Sequence, residues 1–263
     1  MTTKPLASIA FRGNGQTVSR RMIGPATATP PVHANDTGQH LRIGIVIPCR
    51  GDQAFLPGCL ASLKDFSNAG DMVIVVDGDA DRDVARLARS GGAVYLSRPN
   101  SRRGHAIGCG VQWILHQAAA DILLLCHADM VLPAGSRTRL LDKLGVQARN
   151  RWGLLGHHIN DKRLRFRLLE LGNHWRGVAL SIPYGDQAMF VGVDLLARAG
   201  GWPLQPELED LELSLRLRQW MAATFVNAPV AIGTRHWTEG ICRTTIRNWM
   251  LAARYALGRQ ELR

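Results

Sequence analysis

Nowhere does the chain carry an uninterrupted apolar run approaching the roughly 20 residues that a helix needs to cross a bilayer, which predicts a soluble or peripheral protein. Its first residues include basic ones but no continuous apolar stretch, so a secretory signal is not expected there. No CxxC pair occurs. The five cysteines, Cys49, Cys59, Cys109, Cys126 and Cys242, are odd in number and sit mostly inside apolar segments, which excludes a disulfide scaffold and points to a reduced, cytoplasmic setting. Basic residues interleaved with base-stacking aromatics are also missing, so nucleic acid is not an expected partner. Internal repeats are absent as well.

What remains is a chain of 263 residues, 46% of them hydrophobic, enough for one good core. Its net charge of +11 suits an anionic membrane surface or a phosphorylated ligand. Residues 1–40, rich in Thr, Ala, Gly and Pro, read as a flexible leader. A catalytic domain is expected over 41–240. Over 241–263, Ile246, Trp249, Met250, Ala253 and Leu257 share one helical face and Arg243, Arg247 and Arg254 another, predicting an amphipathic basic helix. Such a helix suits docking onto the domain, with contact on the inner face of the membrane as the other reading.

From Leu41 the pattern alternates. Ile43 to Ile47, Met72 to Val76, Val94 to Leu96 and Asp121 to Cys126 read as buried strands, each separated by helical spacing (Leu56 to Phe66, Asp83 to Ser90, Ala106 to Ala119). Alternation of this kind predicts an α/β fold with a doubly wound, mostly parallel sheet. Beyond it come a partly helical stretch from Lys162 to Val178, a short strand at Ala188 to Val191, a helix at Glu209 to Gln219, and strands at Thr224 to Val226 and Ala231 to Thr234. Ligands of such sheets lie beyond the carboxyl ends of the strands. The residues there are polar: Pro48-Cys-Arg-Gly-Asp52, Asp77-Gly-Asp-Ala-Asp81 and His127-Ala-Asp129.

Two constellations suggest chemistry. An acid at a strand end with a second ligand two residues earlier, His127 and Asp129, can hold a divalent cation against a diphosphate. The adjacent carboxylates Glu209 and Asp210 open a helix, where acids also favour the helix dipole, and sugar transfer needs a carboxylate to take the proton of an attacking hydroxyl.

Taken in order, Ile47-Pro48, Val75-Val-Asp-Gly78, Arg102-Arg-Gly104 with Gly108 and Gly110, Asp121 to Asp129, Pro183-Tyr-Gly-Asp-Gln187, Gly200-Gly-Trp-Pro203 and Glu209 to Ser214 resemble family 2 glycosyltransferases, with their glycosyltransferase A-type fold. The likeness extends over about residues 41 to 258. It is closest to the short bacterial subgroup associated with radical SAM genes, which has a His-Ala-Asp metal motif and a Gly-Asp-Gln turn. The resemblance implies a nucleotide-diphosphate sugar as donor, a hydroxyl acceptor that is lipid-linked if the protein meets a membrane, and a divalent metal, Mn or Mg. It puts Pro48, Arg50, Asp52 and Asp77 at the nucleotide, Ala128 at the nucleotide sugar, and Asp186 and Gln187 where donor sugar and acceptor meet; Arg103 suits the diphosphate because a guanidinium matches phosphate oxygens. Asp129 and His127 become metal ligands, Asp210 the base of an inverting transfer, and Glu209 its neighbouring acid; His236, after the strand Ala231 to Thr234, is placed as a third metal ligand or a diphosphate contact. Departures from the family are Gly51-Asp52 for Asn-Glu, and Ala106 and Gly108 where Gln and Asn are common. A nucleotidyltransferase and a non-catalytic nucleotide-sugar binding protein are the rival readings; oligomeric state, donor and acceptor are not encoded in any motif.

Overall fold

A computed structural model describes residues 41–234 together with Met250, Tyr255 and Gly258. His236 and the amphipathic helix expected over 241–263 lie outside the described residues, apart from those three positions, which are helical.

Strand β1 (Ile43–Cys49) is buried along its whole length and is an inner strand of a seven-stranded sheet. With β2 (Met72–Asp77), β3 (Val94–Ser97) and β4 (Ile122–Leu125) it makes the parallel half, in the order β3-β2-β1-β4. The order then continues through β7 (Met189–Gly192), β5 (Trp152–Leu154) and β8 (Thr224–Phe225). β7 runs antiparallel to both neighbours, and the other pairs are parallel, so the sheet is mixed and mostly parallel, as the alternating pattern predicts. A parallel pair, β6 (His157–Ile159) and β9 (Val230–Ile232), forms a small second sheet. An antiparallel bridge ties it at Ala231 to Val131, two residues beyond Asp129.

Both faces of the sheet are covered because its strands are apolar on both faces. Ile43, Ile45 and Ile47 enter one core with α1 (Leu56–Ser62), α2 (Lys64–Asn68), α3 (Arg82–Ser90) and α5 (Ser136–Leu144). Val46, Ile74 and Val76 enter the other, with α4 (Arg103–His116), α7 (Val193–Arg198) and α8 (Glu209–Leu217). α6 (Leu164–Ala179) lies against β6. The sequence did not announce α5, α7, β5 or β6, and it merged α1 and α2 into one helix.

α4 carries the first residues of the candidate site, and glycine sets how closely it approaches the sheet. A Cβ on Gly110 would sit 2.6 Å from Cγ1 of Val46 and 3.1 Å from Cγ2 of Val76, both fully buried. Gly110→Ala should therefore destabilise the protein by about 1–3 kcal/mol through overpacking, more than the gain of up to about 1 kcal/mol in helix propensity. A urea midpoint equal to or above that of the wild type would contradict this contact.

Candidate active site

The first two strand ends build a shelf. Asp77 closes β2, is fully buried, and accepts from the backbone N–H groups of Asp79 (2.9 Å) and Asp81 (2.7 Å) and from the Tyr95 hydroxyl (3.0 Å). Its oxygens thus hold the 77–81 loop in shape. Asp79, which is more exposed, pairs with Arg50 at 3.3 Å and accepts from Gly51 N–H at 3.0 Å. The Asp52 carbonyl accepts from Phe55 and Leu56 to start α1. Pro48 is buried in β1, and Gly78 faces both Arg50 and the Ser101 carbonyl just before α4.

Charged groups converge at the N-terminus of α4. Arg103, its first residue, donates from Nε to Glu209 Oε1 at 2.8 Å and reaches Asp210 Oδ2 from Nη2 at 3.4 Å. Burial opposes its charge, but Asp210 and then Glu209 outweigh it, and its pKa is raised. The two acids begin α8 after Leu208, whose φ of 58° is left-handed and strained for a branched residue. Gln205 braces that turn by donating to the carbonyls of Leu208 (2.6 Å) and Glu207 (2.9 Å).

Adjacent acids face different ways here. Glu209 Oε2 points at α4, where a Cβ on Gly104 would lie 3.0 Å from it, and it has no partner among the described residues. Burial raises the Glu209 pKa, against the opposing pull of Arg103. Asp210 instead turns to the 3-10 turn Gly185–Gln187: its Oδ2 accepts from Gly185 N–H at 2.8 Å and its Oδ1 from Leu211 N–H at 2.8 Å. A Cβ on Gly185 would be 2.8 Å from His127 Nε2 and 3.4 Å from Asp210 Oδ2, so this glycine lets the β4 end, the turn and α8 meet.

His127 follows β4 and is held by its backbone, which donates to Met130 Sδ at 3.2 Å and accepts from Cys59 Sγ at 3.4 Å. Ala128 beside it is buried. Burial, followed by the charge of Arg103, lowers the His127 pKa to about 4, against the opposing pull of Asp129, Asp186 and Asp210. The imidazole is thus neutral at pH 7. In the metal-free protein a pH effect follows: above pH 6.5 folded and unfolded chains carry the same charge there, and below it only the unfolded chain takes up the proton. Stability should fall as pH drops from 6.5 to 4, by no more than about 3 kcal/mol. His127→Asn should flatten this slope in chelator-treated samples, and an unchanged slope would contradict the assignment.

A neutral imidazole and a nearby carboxylate are ligands that suit a divalent cation of the Mn type. Asp186 Oδ1, in the adjoining turn, is buried without a hydrogen-bond partner among the described residues, which adds an acceptor on the same side. The donor set fits a cation held at few protein positions and completed by a phosphorylated ligand. No group of three metal-ligating side chains occurs among the described residues.

Residues without a motif complete the site. His157, at the start of β6, is 1% exposed, and its Nδ1 lies 3.7 Å from Asp186 Oδ2 without a hydrogen-bond partner. Arg176 of α6 is buried with its guanidinium 3.5 Å from the Tyr184 ring centre, donates to the Ile182 carbonyl, and has its pKa lowered by burial. Gln187 accepts from Tyr184 N–H at 3.2 Å and donates to the Asn173 carbonyl at 3.2 Å. A cavity of about 310 Å³ opens beside them, lined by His157, Glu170, His174, Gln187, Phe225 and Asn227. Nothing local in the sequence marks His157 or Arg176.

Comparison with known proteins bears on the fold and the family. The profile for glycosyl transferase family 2 matches residues 44–186, more than half of the chain. No curated protein matches the sequence significantly. Among solved structures, a Pyrobaculum calidifontis mannosyltransferase in complex with GDP-Man and Mn2+ is similar over 78% of this chain and 60% of its own, at 19% identity and a TM-score of 0.53. Staphylococcus aureus TarS 1-349 in complex with UDP-GlcNAc matches over 73% of this chain and 58% of its own, at 13% identity and a TM-score of 0.55. Glucosyl-3-phosphoglycerate synthase from Mycobacterium tuberculosis, in complex with Mg2+ and UDP, matches over 73% and 70% respectively, at 18% identity and a TM-score of 0.50. The chain thus spans about three fifths of the length of the first two. At these identities the structures establish the fold, a glycosyltransferase A-type α/β sheet, and the family match establishes the rest: the chain belongs to glycosyl transferase family 2.

Proposed function

We propose that this chain transfers a sugar, with inversion, from a nucleotide-diphosphate donor to an acceptor hydroxyl, through a catalytic domain spanning 41–240. The observation that carries the reading is the Asp210 carboxylate, fixed by Gly185 N–H and Leu211 N–H, beside the neutral His127 and the anchored Arg103. Asp210 takes the acceptor's proton as its oxygen bonds to the anomeric carbon. The bond from that carbon to the diphosphate oxygen breaks, and its electron pair leaves with the nucleoside diphosphate. Arg103 offsets the developing negative charge, and Glu209 keeps its guanidinium in position. His127 and Asp129 would hold a divalent cation, Mn in preference to Mg, supplying further positive charge to the diphosphate. His236 is proposed as a third contact to the same group. Arg50, the 77–81 loop and Asp52 form the nucleotide shelf, and Asp186 with Gln187 lies between donor sugar and acceptor. The His-Ala-Asp and Gly-Asp-Gln motifs support the radical SAM-associated subgroup.

A thermal-shift screen of nucleotide sugars with and without Mn tests donor binding, because a ligand at 100 times its Kd stabilises the fold by about 2.7 kcal/mol. The reading requires one nucleotide-sugar class to raise Tm more with Mn than without. A flat response across the panel would contradict it.

A further inference from the structure

Helix α6 leaves one face uncovered. Leu164, Leu168, Leu171 and Trp175 are 73%, 61%, 65% and 56% exposed, at spacings of four, three and four residues. These positions fall within a narrow arc of the helix, and Ala179 extends the arc by a further turn. The opposite face is committed: Phe166 and Gly177 are buried, and Glu170 lines the cavity beside Gln187. α6 is 16 residues long, about 24 Å at 1.5 Å per residue. An apolar strip of that length on a monomer calls for a partner.

Charge selects the partner. From Asp161 to Leu180 four basic side chains, Lys162, Arg163, Arg165 and Arg167, flank this face against two acidic ones, Asp161 and Glu170, while the fifth basic residue, Arg176, is buried against Tyr184. Both acids are engaged, Asp161 with Arg163 and Glu170 with Arg167. Arg165 borders the strip on one side and stacks over Phe166, and Arg163 and Arg167 lie along the other. A second copy of α6 would bring the same arginines and no unengaged acid. The chain's own segment 241–263 carries Arg243, Arg247, Arg254, Arg259 and Arg263 against Glu261, the wrong charge to cover this face. The Tyr255 hydroxyl lies 2.8 Å from both Gln205 Oε1 and Glu212 Oε2.

We infer that the outward face of α6 docks on an anionic lipid bilayer, with the leucines and Trp175 in the acyl boundary and Lys162, Arg163, Arg165 and Arg167 at headgroup level. The inward face of the same helix lines the cavity next to Asp186 and Gln187. Docking would therefore bring the rim of the proposed acceptor side to the membrane surface.

Co-sedimentation of the full chain with vesicles of phosphatidylcholine alone, or of phosphatidylcholine and phosphatidylglycerol at 3:1, tests this. Binding is expected to the mixed vesicles and not to the neutral ones. The double variant Leu168→Glu/Leu171→Glu should lower partitioning at least tenfold with Tm preserved, and the uncharged pair Leu168→Gln/Leu171→Gln should also weaken it. Vesicle binding unaffected by both variants, or no binding by the wild type, would overturn the inference. So would a wild-type dimer that the variants convert to monomer, since that assigns the face to a second copy. None of these readouts depends on the donor or the transfer step, so the proposed activity is tested separately.

Discussion

Asp210→Asn should reduce turnover by about 10²–10⁴-fold, the range for removal of a general base, while leaving fold and donor binding close to wild type. The expectation of an intact fold comes from the hydrogen bonds. Asp210 accepts from Gly185 N–H and Leu211 N–H; an Asn carbonyl can keep the bond from Gly185, which ties the turn to α8, while its amide nitrogen cannot accept from Leu211 N–H in the first turn of the helix. What Asn lacks is the capacity to take up a proton at neutral pH. Asp210→Ala should add a structural defect, since Gly185 N–H would be left inside the site without its acceptor. The contrast between the two variants separates chemistry from architecture: similar kcat losses, but a clearly larger drop in Tm for Ala than for Asn. Near wild-type turnover in Asp210→Asn would remove this residue from the base role.

Arg103→Met should have the largest effect on stability. Glu209 is 1% exposed and its Oε1 is paired with Arg103 at 2.8 Å, while its Oε2 has no partner among the described residues. Removing the guanidinium leaves a buried carboxylate without compensation, which costs about 3–5 kcal/mol for a fully buried pair. Arg103 is itself 42% exposed, so water screens part of the interaction and about 2–3 kcal/mol is the expected loss. The loss should shrink below neutral pH. Burial already raises the Glu209 pKa, and without Arg103 its proton returns sooner, neutralising the stranded charge. Adding Glu209→Gln to Arg103→Met should recover most of the stability but not the activity. A double variant no more stable than the single one would show that Arg103 contributes through packing and not through this ion pair.

The sequence made the parallel half of the sheet legible because β1, β2 and β4 are apolar on both faces and stop at polar residues. Strand direction at β7 was not legible: four buried residues, Met189 to Gly192, read the same either way. β5 and β6 are three residues each, and β6 opens with two histidines, so neither offers a period to detect. The site divides along similar lines. Asp210, His127 and Arg103 stand in motifs, and the structure brings them together around Gly185. Asp77 is expected at the nucleotide; its oxygens accept from its own loop and from Tyr95, and the more exposed Asp79 pairs with Arg50, an arrangement that depends on the loop's fold and not on the motif. The Arg103–Glu209 bond joins residues from separate helices, and His157 reaches Asp186 from another strand. Contacts of that range depend on topology and leave no local trace.

The most direct test is product analysis with the nucleotide sugar that binds, in the presence of Mn and an acceptor bearing a free hydroxyl. The account predicts release of the nucleoside diphosphate together with a glycosylated acceptor of inverted anomeric configuration, and loss of both products in Asp210→Asn. Formation of inorganic diphosphate, or of a product with retained configuration, would contradict it.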